Sequence, residues 1–177
     1  IYSARARIAP LARKTPLVSS PELTELTGSE VRLKLENLQE TGSFKPRGAA
    51  NKLLSLDPKV RQRGVIAVSS GNHGRALAYV AHHLWLRAVV CISDTVPANK
   101  RDAIQKLGAE VVISGSTYDE AVEEANRLEK KRGLEMIHPY DDPLVIAGQG
   151  TIGLELLDEF PDLDTVVVPL SGGGLLG

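Results

Sequence analysis

The sequence has a single cysteine, Cys91, in 177 residues, which excludes an internal disulfide framework and a cysteine-based metal cluster. Aromatic residues make up only 4%, so the interior must be built from Val, Ile, Leu and Ala, a composition suited to parallel strands buried on both faces. Charge of one sign is also lacking: 21 basic residues stand against 22 acidic, a formal net charge of -1. A nucleic acid or an anionic membrane as partner leaves a basic bias, and none is visible. No apolar run approaches the ~18 residues of a membrane-spanning helix. The opening stretch, IYSARARIAP, lacks the apolar core of a secretory signal. A reducing, cytoplasmic setting is the expectation.

What is present is a rhythm. With 42% hydrophobic residues the chain can fill one sizeable core, or a domain plus part of another. Pro10, Pro16 and Pro21 limit regular structure at the start to a short helix and an extended arm. Alternation over Val31–Leu35 predicts a strand with one buried face, followed by Thr41-Gly42-Ser43 and a helix from Pro46 to about Ser55 with Ser43 as its N-cap. From Val65 onward, VIAVS, AVVCI, EVVIS and the stretch 134–138 read as strands. They are separated by helices over 73–85, 98–107 and 117–131, the last closed by Gly133. That is βαβαβαβ, hence a parallel sheet with helices on both faces and right-handed crossovers. A further helix over 143–160 and a strand, DTVVVP at 164–169, complete the pattern. The strands at 31–35 and 164–169 flank the four-strand unit and are expected to share a second sheet. The expected organisation is therefore residues 1–63 and 142–177 as parts of one large domain, interrupted by a small α/β domain at 64–141. A last strand without a covering helix suggests a piece of a longer chain.

Three places concentrate chemistry. Lys45 opens a helix, at its positive end, where an ammonium is not locally favoured. Beside apolar Phe44 it is either a surface lysine or a neutral amine fit for nucleophilic attack or a Schiff base. Ser69-Ser70-Gly71-Asn72-His73-Gly74 turns a strand into a helix and gathers hydroxyls, an amide, an imidazole and helix-end N–H groups, a setting for a carboxylate or phosphate. Capping alone needs one such residue and not four. Gly172-Gly173-Gly174 follows a strand, where consecutive N–H groups can converge on an anion, although a mobile linker would look the same. Gly148, Gly150 and Gly153 satisfy G-x-G-x-x-G, but the next strand ends in Pro169-Leu170 without the acidic residue that a ribose needs. Close helix packing explains Gly148 and Gly153 better. His82, His83 and His138 lack metal-ligand spacing, and Cys91 reads as a small buried hydrophobe.

GSFKPRGA at 42–49, SSGNHG at 69–74, AGQGT at 147–151 and PLSGGGLLG at 169–177 together resemble the pyridoxal-phosphate enzymes of fold type II, in particular threonine/serine dehydratases and serine racemases. The resemblance runs through essentially the whole chain. It implies two doubly wound open-sheet domains, the large one incomplete here. It makes Lys45 the Schiff-base lysine and Phe44 a residue packed on the cofactor ring, with Asn72 hydrogen-bonded to the ring's phenolic oxygen. Ser70, Gly71, Asn72 and His73 would hold the substrate carboxylate. Ser171, Gly172, Gly173 and Gly174 would cradle the phosphate, Ser171 standing where the family often has a fourth glycine. The partner of the ring nitrogen and a Mg or Ca site would lie beyond residue 177.

The implied reaction is β-elimination of the hydroxyl of L-threonine or L-serine, giving a 2-oxo acid and ammonia, in a homodimer or homotetramer with no nucleic-acid or membrane partner. Racemisation is the alternative, with Ser70 delivering a proton from the opposite face. Dehydration of 3-hydroxyaspartate is a third reading, and a ligand-sensing α/β domain without catalysis a fourth.

Overall fold

The computed structural model describes residues 1–69 and 71–177. The chain opens with α1 (Tyr2–Ile8), β1 (Leu17–Ser19), α2 (Pro21–Thr27) and β2 (Arg32–Lys34). Next come a 3-10 turn over Glu36–Leu38, α3 (Lys45–Ser55) and α4 (Pro58–Arg63). The repeating unit follows: β3 (Val65–Val68), α5 (Asn72–His83), β4 (Ala88–Ile92), α6 (Ala98–Gln105), β5 (Glu110–Ile113), α7 (Tyr118–Arg132) and β6 (Glu135–Met136). Two helices, α8 (Pro143–Gln149) and α9 (Thr151–Glu159), come last.

The expected parallel sheet forms, in the order β5-β4-β3-β6, with β3 pairing in parallel with both β4 and β6. Every residue of β3 and β4 is buried, and alternate residues serve opposite faces. Val65, Ala67, Ala88, Val90 and Ile92 pack with Ala76, Leu77 and Val80 of α5 and with Ala49, Ala50 and Leu53 of α3. Ile66, Val68, Val89 and Cys91 pack with Ala121, Ala125 and Leu128 of α7. Each fully buried Val or Ile contributes about 1.5–3 kcal/mol of transfer free energy, so these two strands are the structural centre. Good local signals close α7: Thr117 and Glu120 form a reciprocal capping box, and Gly133 ends the helix at φ 65°. Tyr118, the first residue of α7, is exposed and takes no part in the core.

The strand order has a functional consequence. The chain adds β4 and β5 on one side of β3, then α7 carries it back so that β6 lands on the other side. The reversal makes the crevice between the carboxyl ends of β3 and β6 the topological switch point, where open α/β sheets bind ligands.

Several expectations are corrected. The strand expected over 31–35 covers only Arg32–Lys34 and pairs antiparallel with β1. Leu33, expected in the core, is 40% exposed. Residues 164–169 form no strand and pair with nothing among the described residues, and Val167 is 91% exposed. The two stretches therefore share no sheet here. The helix expected over 143–160 is broken into α8 and α9 at Gly150. Its buried residues are Val145, Gly148, Gln149, Thr151 and Glu155, and of these Gln149, Thr151 and Glu155 answer polar groups on α3.

Candidate active site

The lysine helix α3 is held less by apolar packing than by a series of specific polar contacts. Ser43 does not cap it: the N-cap residue is Phe44, in helical conformation and without a side-chain cap bond. Gln149 takes over that task from α8, its Oε1 accepting the Gly48 N–H at 3.1 Å. Further along, Asn51 donates to the Leu144 carbonyl and Lys52 pairs with Asp142 at 2.6 Å. The close approach depends on two glycines. A Cβ on Gly148 would fall 2.4 Å from the Arg47 carbonyl oxygen, and one on Gly48 would fall 2.4 Å from the Gln149 amide nitrogen. Gly148 thus has the packing role read from the sequence, whereas Gly153 does not, since a Cβ there would meet nothing within 4 Å.

Arg47, two residues after Lys45, is the central anchor. It is 1% exposed, yet its guanidinium donates to both oxygens of Glu36 at 2.8 Å and to Glu155 at 2.6 and 2.9 Å. It also reaches the Thr151 hydroxyl and the Arg13 carbonyl, each at 3.1 Å. Burial opposes its charge, but the two carboxylates more than offset this and hold its pKa above the ordinary arginine value. Lys34 completes the cluster against Glu155 at 2.8 Å. The network fastens the first turn of α3 to the preceding loop and to α9.

Lys45 itself is half-buried. Its Nζ donates to the Pro139 carbonyl at 2.7 Å and lies 5.1 Å from the centre of the Phe44 ring. Desolvation lowers its pKa below the ordinary lysine value. No carboxylate pairs with it among the described residues. An amine so placed is biased towards its neutral, nucleophilic form.

Pro139 belongs to the segment leaving β6, and that segment also holds the second candidate element. His73, 4% exposed, sets its Nε2 3.0 Å from the Ile137 carbonyl. A carbonyl only accepts, so Nε2 carries the hydrogen and Nδ1 is left as a buried acceptor without a partner among the described residues. Burial, aided by the charge of Lys45, lowers its pKa to about 4. The neutral ring has no free donor for a carboxylate, so any such role of His73 falls to its backbone N–H. The first turn of α5 starts at Gly71 with no side-chain cap among the described residues. Gly74 lets that turn lie against Val90, which a Cβ would approach to 3.0 Å. Asn72 is exposed at the head of α5, and Ser70 lies outside the described residues.

The third element, the glycine loop, touches the same segment. Cβ atoms on Gly172 and Gly174 would fall 2.4 and 2.7 Å from Tyr140, so both glycines are required for its close approach. Gly173 adopts φ +87° with open space around it. The N–H groups of Ser171 to Leu175 donate to no acceptor among the described residues, while Leu176 and Gly177 turn back to the Gly173 carbonyl. Residues 137–140 therefore join the lysine, the α5 turn and the glycine loop at the switch point. Sequence reasoning passed over Pro139, Tyr140 and Arg47, and gave His138 no more than a capping or surface role. The available signal was the position of HPYDDP between the end of a strand and the start of a helix. Among the described residues no group of three or more His, Cys, Asp or Glu is placed to hold a metal.

Residues 8–177 match the family model described as pyridoxal-phosphate dependent enzyme. A Sinorhizobium fredii protein provisionally named a threonine dehydratase is 55% identical over 175 residues, covering 99% of this chain and 53% of that protein. The L-threonine ammonia-lyase of Thermotoga maritima is 45% identical over 176 residues, covering 99% of this chain and 44% of that one. The structure of maize serine racemase superposes with a TM-score of 0.96 at 36% identity, covering 99% of this chain and 53% of the other. The chain spans about half the length of the curated relatives it matches.

Proposed function

We propose, since this chain belongs to the pyridoxal-phosphate-dependent enzyme family, that it forms the lysine-bearing half of an ammonia-lyase that dehydrates L-threonine or L-serine. The observation that carries the reading is Lys45: a half-buried amine of lowered pKa, held by a backbone carbonyl and, among the described residues, by no carboxylate. The residues around it fit pyridoxal phosphate. The amine can be joined covalently to an aldehyde, the N–H groups of the glycine loop, without an acceptor among the described residues, suit a phosphate, and the start of α5, without a side-chain cap among the described residues, suits a carboxylate. When bound, the cofactor supplies that aldehyde and a ring that takes up the electron pair left at the substrate Cα.

The chain's own residues supply position and proton transfer. Lys45 would anchor the cofactor, and its Nζ would accept the substrate Cα proton; the Pro139 carbonyl orients that nitrogen. Ser70, Gly71, Asn72 and His73 would hold the substrate carboxylate, the last through its backbone, and Asn72 would bond the phenolic oxygen of the cofactor. Phe44 would pack on the ring, while Ser171 and Gly172–Gly174 would bind the phosphate. Burial of the Lys45 amine shifts it towards the uncharged form, the form that can accept a proton. In this reading residues 1–63 and 142–177 are parts of the large domain and 64–141 the small one. The magnesium or calcium site lies beyond Gly177, and the enzyme is a homodimer or homotetramer.

Racemisation is the second reading, favoured by the superposition on maize serine racemase. Both reactions start with loss of the Cα proton to Lys45. They part on whether a donor on the opposite side, for which Ser70 stands, returns it. The test uses the full-length protein. Borohydride reduction and peptide mapping should place the cofactor on Lys45, and Lys45→Ala should abolish both the label and the visible cofactor band. Incubation with L-threonine, L-serine and 3-hydroxyaspartate, scoring oxo acid against D-isomer, then separates lyase from racemase. Full lyase activity in Lys45→Ala would refute the assignment.

A further inference from the structure

We propose that His138 is a positioning residue for Lys45, acting through a ring nitrogen that only accepts hydrogen bonds. The inference rests on the reading of Lys45 as the cofactor-anchoring amine. His138 Nδ1 accepts the Asp141 N–H at 2.7 Å and the Tyr140 N–H at 3.3 Å. Both donors are backbone N–H groups, so Nδ1 must carry a lone pair and the ring hydrogen must sit on Nε2. The arrangement repeats what Asp142 does four residues later, where Oδ1 accepts the N–H groups of Leu144 and Val145 at 2.8 and 3.1 Å. His138 thus closes a turn as an Asp or Asn side chain would, with N–H groups two and three residues ahead.

The turn that it closes contains the contacts on which the site depends. The Pro139 carbonyl, inside the turn, receives Lys45. Tyr140 lies edge-on to the His138 ring, 4.7 Å between centroids, and packs against Gly172 and Gly174. Removing the Nδ1 acceptor would leave the Tyr140 and Asp141 N–H groups without their partner and open the turn, releasing both contacts.

The test compares wild-type, His138→Asn and His138→Ala holoenzymes of full length by amide hydrogen exchange and by kcat/KM. Asn restores an acceptor two and three residues behind the same N–H groups; Ala does not. In His138→Ala the Tyr140 and Asp141 amides should exchange about tenfold faster, the loss of one ordinary hydrogen bond, while His138→Asn keeps them protected. The loss of protection in His138→Ala should be accompanied by a fall in kcat/KM that His138→Asn restores. If His138→Ala does not fold, His138→Asn decides alone, loss of protection there overturning the inference. Undiminished protection in His138→Ala, or lost protection in His138→Asn, with the borohydride label still on Lys45, would overturn the inference and leave the proposed function standing. A label on another lysine would overturn both.

Discussion

Replacing Arg47 by methionine tests whether the lysine helix is held by a buried charge network. The four charges Arg47, Lys34, Glu36 and Glu155 sum to zero, and Arg47 is the only one in contact with both carboxylates. Without it the cluster carries one uncompensated negative charge. Glu155 still has Lys34 at 2.8 Å, so the loss falls mainly on Glu36, left with the Thr15 hydroxyl at 2.5 Å and the Gln39 amide at 3.2 Å. Removing one member of a buried pair costs about 3–5 kcal/mol because the partner stays desolvated, and Arg47→Met should lose that much in urea unfolding of the full-length protein with an unchanged m-value. The double variant Arg47→Met/Glu36→Gln should recover about 1–2 kcal/mol, since the stranded charge is gone. Arg47→Lys should fall in between, one ammonium being unable to serve two carboxylates. A cost below about 1 kcal/mol, the size of an exposed ion pair, or no recovery in the double variant, would refute the reasoning.

Other consequences follow from single positions. Gly148→Ala puts a methyl 2.4 Å from the Arg47 carbonyl oxygen and should destabilise by about 1–3 kcal/mol or more, whereas Gly153→Ala meets no atom within 4 Å and should stabilise α9 by about 0.5–1 kcal/mol; thermal melts of the two decide. His73 binds a proton in the unfolded chain near pH 6.5 but in the fold only near 4, so its contribution is fully present above pH 6.5 and is lost as pH falls towards 4, on the order of 3 kcal/mol in all. His73→Gln should flatten that part of the stability–pH curve. Thr117→Ala removes the hydroxyl that caps Glu120 N–H and should cost about 1 kcal/mol without altering cofactor binding.

Elements with strong local signals were legible in the sequence. VIAV and AVVCI could only be buried strands, and the α7 capping box and Gly133 mark that helix within a residue of its ends. Where the sequence misled, the deciding contact came from far along the chain. Thr151 and Glu155 look like the solvent side of an amphipathic helix, yet they are buried because Arg47, more than 100 residues earlier, needs acceptors there. Ser43 has the chemistry of an N-cap, but Gln149 supplies a bond to the first turn of α3 from another helix. DTVVVP has strand composition, and it stays unpaired because no strand lies beside it among the described residues. Pattern reports what a segment can become; its pairing depends on which other segments are within reach.

The candidate site shows the same division more sharply. Each of its three elements was visible as a motif, because glycines, a lysine at a helix start and a polar turn are unusual locally. Their meeting place was not, since it depends on strand order, and βαβ periodicity is equally compatible with β6 on either edge of the sheet. Placing β6 beside β3 brings Ile137 O to His73, Pro139 O to Lys45 and the Tyr140 ring to the glycine loop. Had β6 added next to β5, two strands would separate it from β3, three strand spacings or roughly 14 Å, beyond the reach of a lysine hydrogen bond. The chemistry proposed for Lys45 is therefore a property of the sheet's order as much as of the residue, and a substitution that loosens β6 from β3 should disable the lysine without touching it.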